Sequence, residues 1–187
     1  MLRRKSQVLV RLLVLVPLLG VNSSARSKSL RGVKLAGLHP GEKLSRAYGR
    51  FGKRYVNQYL SSARSAVWVD PCTTQQLTVQ FGLNGTIRRI TVGPMPGKIE
   101  VICNNKAYSR TTRARFGTNR GLLVGDSCGR IQELYGTPIS DTGGLRNREL
   151  QAMKYLSSDR TGELKLEIDC DTGNSQVERI SLSDSTN

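Results

Sequence analysis

The sequence predicts an α+β fold of two tandem repeats, each a short helical segment packed on a small antiparallel β-sheet. Three observations carry that prediction. The second half repeats the first at a spacing of 87 residues: Tyr48-Gly49 matches Tyr135-Gly136, Trp68 matches Tyr155, and Leu77-Thr78-Val79-Gln80-Phe81 matches Leu164-Lys165-Leu166-Glu167-Ile168. After a three-residue insertion, Ile87-Arg88-Arg89-Ile90 matches Val177-Glu178-Arg179-Ile180. Each copy runs from a helical apolar spacing into strand-like alternation, over a length suited to a small domain.

Along the chain, residues 1–25 read as a secretory signal peptide. Met1-Leu2-Arg3-Arg4-Lys5 is cationic, Val8 to Val21 is almost wholly apolar yet too short to span a bilayer, and Asn22-Ser23-Ser24-Ala25 supplies small residues for cleavage. Arg11 interrupts the apolar run, so an uncleaved anchor is the alternative. No Cys follows the run, so a lipoprotein attachment site is not expected. Residues 26–36 are small and cationic without a clear period and read as a basic flexible arm.

Repeat unit 1 is assigned to residues 37–103. Its helix is expected to open at Pro40, bury Leu44, Ala47 and Tyr48, and end at Gly49 in a left-handed cap. Phe51, Tyr55, Val56 and Tyr59 fit either one helical face or an aromatic loop packed on a sheet. Strands follow at 63–69, 75–81 and 86–92. Gly82-Leu83-Asn84-Gly85 joins the last two, its Asn-Gly step offering the positive φ angles of a tight hairpin. Residues 98–103 read as a further strand.

A basic linker, 104–118, leads into unit 2 at 119–187. Lys106, Arg110, Arg113, Arg115 and Arg120 are interleaved with Tyr108 and Phe116, without an acid among them. Such a stretch either grips phosphates and stacks on bases or sugars, or is a solvated connector with packed aromatics. In unit 2, Gly125, Asp126 and Ser127 lead into a helix, with Asp126 or Ser127 accepting hydrogen bonds from its first free amides. Ile131, Leu134 and Tyr135 form the buried stripe, Gly136 the cap, and Pro138 prevents continuation. A polar loop through 141–144 precedes strands near 151–156, 163–170 and 176–182. The acidic turn around Asp169 to Asn174 lacks the spacing and terminal Glu of an EF-hand and reads as a plain hairpin.

Cys72, Cys103, Cys128 and Cys170 follow the leader, and an even count in an exported chain points to two disulfides with three possible connectivities. Pairing within each unit, Cys72 with Cys103 and Cys128 with Cys170, is the economical choice; buried free thiols are the other reading. No Cys-x-x-Cys pair exists and His39 is the single histidine, so zinc is not expected.

The net charge of +15 is lopsided: residues 1–100 carry 17 Lys and Arg against three acids, and residues 101–187 carry 12 against 11. The asymmetry implies an anionic partner for the N-terminal half: lipid head groups, polyanionic glycans or nucleic acid. Arg46, Arg50, Lys53 and Arg54, with the linker cations, are the candidate anion contacts. Catalysis is not supported. His39 has no nucleophile tied to it by a motif, no phosphate loop or dinucleotide fingerprint occurs, and the acids of unit 2 fall at strand positions opposite the apolar set.

Val124-Gly125-Asp126-Ser127, the short helix, Tyr135-Gly136-Thr137-Pro138, Tyr155 and two alternating strands ending in Val177-Glu178-Arg179-Ile180 resemble the BamE-type (SmpA/OmlA) envelope domain. The tandem arrangement is similar to that of the beta-lactamase inhibitor protein family. The resemblance covers most of residues 118–182, with a weaker copy at 37–92. It implies helices on one face of an antiparallel sheet and a binding or scaffolding role. It makes Gly125, Ser127, Tyr135, Gly136 and Pro138, with Gly49 in the first copy, residues of fold rather than function. The expectation is therefore an exported, non-enzymatic bacterial binding or scaffolding protein without a cofactor, in the periplasm or outside the cell. It would engage a protein partner while its basic half meets an anionic lipid or glycan surface. A secreted inhibitor of another enzyme and a non-specific nucleic-acid-binding protein are the alternatives, the latter disfavoured by export.

Overall fold

The computed structural model describes residues 27–53, 56–60, 63–70, 73–95, 116–143, 150–159 and 162–184. The leader, Cys72, Cys103, Arg54, the strand expected at 98–103 and most of the linker, with Lys106, Arg110, Arg113 and Arg115, lie outside the described residues.

Alternation at period 2 becomes one antiparallel sheet of eight strands among the described residues, with two helices on one of its faces, an α+β architecture. The elements are α1 (Leu44–Phe51), β1 (Val56–Leu60), β2 (Ala63–Asp70), β3 (Gln75–Phe81), β4 (Ile87–Pro94), α2 (Gly129–Tyr135), β5 (Ser140–Gly143), β6 (Leu150–Asp159), β7 (Gly162–Asp171) and β8 (Gln176–Asp184). The strand order is β1-β2-β3-β4-β8-β7-β6-β5, so β4 and β8, the last described strand of each half, meet at the centre. That seam pairs Arg89 with Ser183, Ile90 with Leu182, Thr91 with Ser181 and Val92 with Ile180.

The apolar set of each strand, including Leu77, Val79, Ile90, Val92, Leu166, Ile168, Ile180 and Leu182, is buried under the helices in a single cluster. In the first half Tyr48 and Phe51 of α1 lie 6.2 and 5.7 Å from the Trp68 ring, and Trp68 donates its indole N–H to the Gly52 carbonyl at 3.1 Å. In the second half Tyr135 lies 5.7 Å from Tyr155, whose hydroxyl donates to the Gly136 carbonyl at 3.1 Å. In both, an aromatic on the sheet packs against the helix and satisfies a carbonyl left open at its C-terminal end. The Cys128–Cys170 pair is a disulfide, Cα atoms 6.0 Å apart, tying the residue before α2 to β7. Closing a loop of 42 residues stabilises the fold by about 4 kcal/mol on a chain-entropy basis.

Several boundaries differ from expectation. Residues 27–36 are not a flexible arm: Leu30, Val33, Leu35 and Ala36 are buried in the core. The segment is hydrogen-bonded to the second half, Ala36 N to the Gly117 carbonyl at 2.9 Å and Lys34 N to Asn119 Oδ1 at 2.9 Å. Its four apolar residues follow no regular period because the backbone winds through turns. α1 begins at Leu44, not Pro40, and Gly49 lies inside it; the terminating residue is Gly52, with φ 83°. Gly49 is tolerated because α1 gains its stability from packing against Trp68 more than from propensity. Residues 56–60 are neither helix nor loop but strand β1, antiparallel to β2. Residues 140–143 pair with β6 as a short edge strand where a polar loop was expected. The Gly82–Gly85 hairpin needs a positive φ only at Gly85, at 71°.

α2 also starts later than the sequence implied. Neither Asp126 nor Ser127 caps it, and the preceding residue is Cys128 without a side-chain cap. Asp126 instead accepts the Leu123 N–H at 2.8 Å and pairs with Arg130 at 3.1 Å. Gly125, at φ 90°, places its N–H on the Val177 carbonyl at 2.7 Å, and Ser127 bridges to Gln176, so both stitch the approach to α2 onto β8. Gly136 does end α2, at φ 76° and ψ −153°, a region open essentially to glycine alone.

Two measurements check this architecture. Gly136→Val should cost about 1–3 kcal/mol in urea unfolding, the strain of a β-branched residue at that conformation; an unchanged midpoint would mean the helix ends elsewhere. Leu35→Ala should cost about 2–5 kcal/mol because the side chain is fully buried, whereas a flexible arm would leave stability untouched.

Candidate functional site

Strand pleat sends the residues between the apolar ones to the opposite face, and no helix covers that face among the described residues. Its central row crosses the molecule in register: Thr78 of β3, Thr91 of β4, Ser181 of β8, Glu167 of β7 and Lys154 of β6. The face dips into a groove of about 440 Å³ astride the seam. Gln76, Thr78 and Gln80 line one wall, Glu167 and Asp169 the other, and Thr91, Gly93 and Ser181 the floor.

Small residues at the centre create that depression. Gly93 has no side chain, and a Cβ there would come within 3.3 Å of Cγ of Arg179, whose stem lies across the strand. Thr91 and Ser181 meet hydroxyl to hydroxyl at 3.1 Å. Over this low floor, longer side chains reach between strands. Arg89 of β4 lies 4.0 Å from Glu167 of β7, spanning β8. Lys165 and Lys154 approach the same carboxylate at 2.8 and 3.9 Å, and Arg179 pairs with Asp169 at 3.5 Å. Burial raises the pKa of Asp169, Arg179 opposes the shift, and Glu167 adds to it.

The groove thus offers hydroxyls and amides on its floor and one wall, flanked by charges of both signs. That chemistry suits reversible, hydrogen-bonded contact with a partner surface. Among the described residues no group of three or more His, Cys, Asp and Glu side chains is placed to hold a metal ion.

The anion-contact candidates are divided. Arg46, Arg50 and Lys53 are exposed on the helical side of the sheet, away from the groove. Arg120 is not a solvated contact. Its guanidinium donates to the Leu134 carbonyl at 3.3 Å and to the Ser29 carbonyl, and lies 5.1 Å over the Tyr135 ring. Tyr135 is wholly buried, its hydroxyl donating to Thr118 Oγ1 at 2.9 Å, and burial raises its pKa. Sequence reasoning passed over the groove residues. Their alternation with the core set was visible, but which face stays uncovered depends on where the helices pack.

No known protein family, no curated protein and no solved structure matches this chain.

A raised folded-state pKa at Asp169 means that protonation favours the fold: this stability is fully present below the ordinary 3.8 and is lost as pH rises through the raised value. Asp169→Asn should therefore raise the Tm at neutral pH and lose that advantage in acid. A variant destabilised at neutral pH would show that the Arg179 pair outweighs burial.

Proposed function

We propose that this is an exported, non-enzymatic binding or scaffolding protein of the bacterial envelope, built from two copies of a BamE-type unit. It presents its uncovered sheet face to a protein partner while its basic N-terminal half meets an anionic surface. The observation that carries the reading is the groove: a wide, solvated sheet face, floored by small polar residues and centred on the pairing of the two halves. Supporting the duplication, Trp68 and Tyr155 take matched positions 87 residues apart, each bonded to the carbonyl of the glycine that ends its helix. Export is supported by the leader pattern and by the Cys128–Cys170 disulfide, a bond that persists in oxidising compartments.

The binding role assigns energy to shape and hydrogen bonding rather than to charge. Arg89, Arg179, Glu167 and Asp169 are already paired within the face, so a partner gains little by neutralising them and more by matching the floor. The test places a photocrosslinking residue at Thr78 in cells producing the protein. One discrete envelope-protein adduct is expected, lost when Thr91→Trp fills the floor. No adduct, or an adduct indifferent to Thr91→Trp, would overturn the reading. In the same preparation the N-terminus should lie near residue 25 with Cys128 and Cys170 unreactive to thiol label. An intact Met1 with free thiols would overturn export and bring nucleic-acid binding forward.

A further inference from the structure

The strongest unexplained surface feature stands at the tip of the β3–β4 hairpin. Leu83 is 87% exposed, more than any other large apolar residue among those described. The turn does not require it. Gly85 N–H closes the turn on the Gly82 carbonyl at 2.9 Å and Asn84 Oδ1 accepts the Thr86 N–H at 3.0 Å, while the Leu83 side chain supports neither bond. The corresponding hairpin of the second half, between β7 and β8, makes its turn with Thr172, Gly173, Asn174 and Ser175, beside Asp171, and carries no apolar residue.

Cations surround this tip. Lys43, the residue before α1, reaches the Asn84 carbonyl at 3.2 Å and Thr86 Oγ1 at 3.4 Å, and Arg88 lies against Gly82, where a Cβ would come within 3.1 Å of its Nε. Arg46 and Arg50 continue the charge along one face of α1. Lys34 and Arg46 share Glu42, at 3.7 and 3.4 Å. Glu42 is the single acid in residues 27–53, against seven Lys and Arg. Exposed cations around a projecting aliphatic side chain are complementary to a bilayer interface, where the charges meet phosphate and the apolar tip enters the acyl boundary.

We propose, as a sharpening of the anionic-surface half of the function above, that the protein docks on an anionic phospholipid bilayer through Leu83 and the cations Lys43, Arg46, Arg50 and Arg88. A nucleic acid would use the same charges but has no acyl phase for Leu83. Among the described residues, the exposed large apolar side chains include no aromatic that could stack on unpaired bases.

The experiment is co-sedimentation of the mature protein with vesicles of phosphatidylglycerol and phosphatidylcholine, with pure phosphatidylcholine vesicles and a short DNA duplex as comparisons. Leu83→Asn should lower partitioning onto the anionic vesicles about tenfold while leaving duplex affinity unchanged. Arg46→Gln should lower vesicle and duplex binding alike, by about fivefold. If Leu83→Asn binds vesicles as the parent does, the lipid proposal is overturned while the anionic-surface reading stands on charge alone. If the parent binds neither vesicles nor duplex, both fall. Thr91→Trp leaves vesicle binding intact in either case, which keeps a failure of the groove separate.

Discussion

The four-pair ladder between β4 and β8 is the constraint on which the rest of the molecule depends. It joins two four-stranded sheets into one, and because side chains alternate with period 2, its register decides which residues of both halves share a face. With Ile90 on Leu182 and Val92 on Ile180, the apolar sets of the two halves form one continuous surface for the helices. A slip by one residue would turn one half over relative to the other, placing Arg89 on the face that carries Leu182 and Ile180, and Ile90 on the face that carries Arg179. The pairing also hides two strand edges that each half alone would expose, leaving β1 and β5 as the outer strands.

The N-terminal segment adds a second coupling. α2 leaves its last carbonyls open, and three of them receive donors from outside the helix: Glu133 from the Lys28 ammonium at 2.6 Å, Tyr135 from the Lys28 backbone N–H at 2.8 Å, and Leu134 from Arg120. Two cations at a helix C-terminus also oppose its dipole favourably. The donors from residue 28 precede the first half in sequence yet complete the second half. Thus the segment before α1 belongs to the second half's packing, and the charge counted as N-terminal is partly spent on structure there. Lys28 and Arg120 illustrate why a count of cations overstates the surface available to an anion.

Much of the architecture was legible because period-2 alternation is a strong signal where one face is buried. Leu77-Thr78-Val79-Gln80 and Leu164-Lys165-Leu166-Glu167 gave their strands and faces directly. Turns and helix ends were less legible because several residue types satisfy the same local geometry. Gly49 and Gly52 are equally suited to end α1, and only the position of Trp68, whose indole needs the Gly52 carbonyl, separates them. The buried winding of residues 27–36 was invisible because turns erase the period on which burial is read, and its partners, Gly117, Thr118 and Asn119, are some eighty residues away. The groove was half legible. The polar alternates were known, but the depression comes from Gly93 and from Thr91 meeting Ser181 across a seam whose existence no local pattern announces.

The groove and the N-terminal segment differ in how their cations are held. In the groove Arg89, Lys154 and Lys165 gather around Glu167 and Arg179 pairs with Asp169, so each carboxylate is held among cations of the sheet itself. Residues 27–53 carry seven cations and one acid, Glu42, which Lys34 and Arg46 share. In the proposed function, long-range attraction weakened by salt acts on this segment, and short-range complementarity acts in the groove. Under the proposed function, a chain built this way would orient itself on an anionic surface before its groove met a partner.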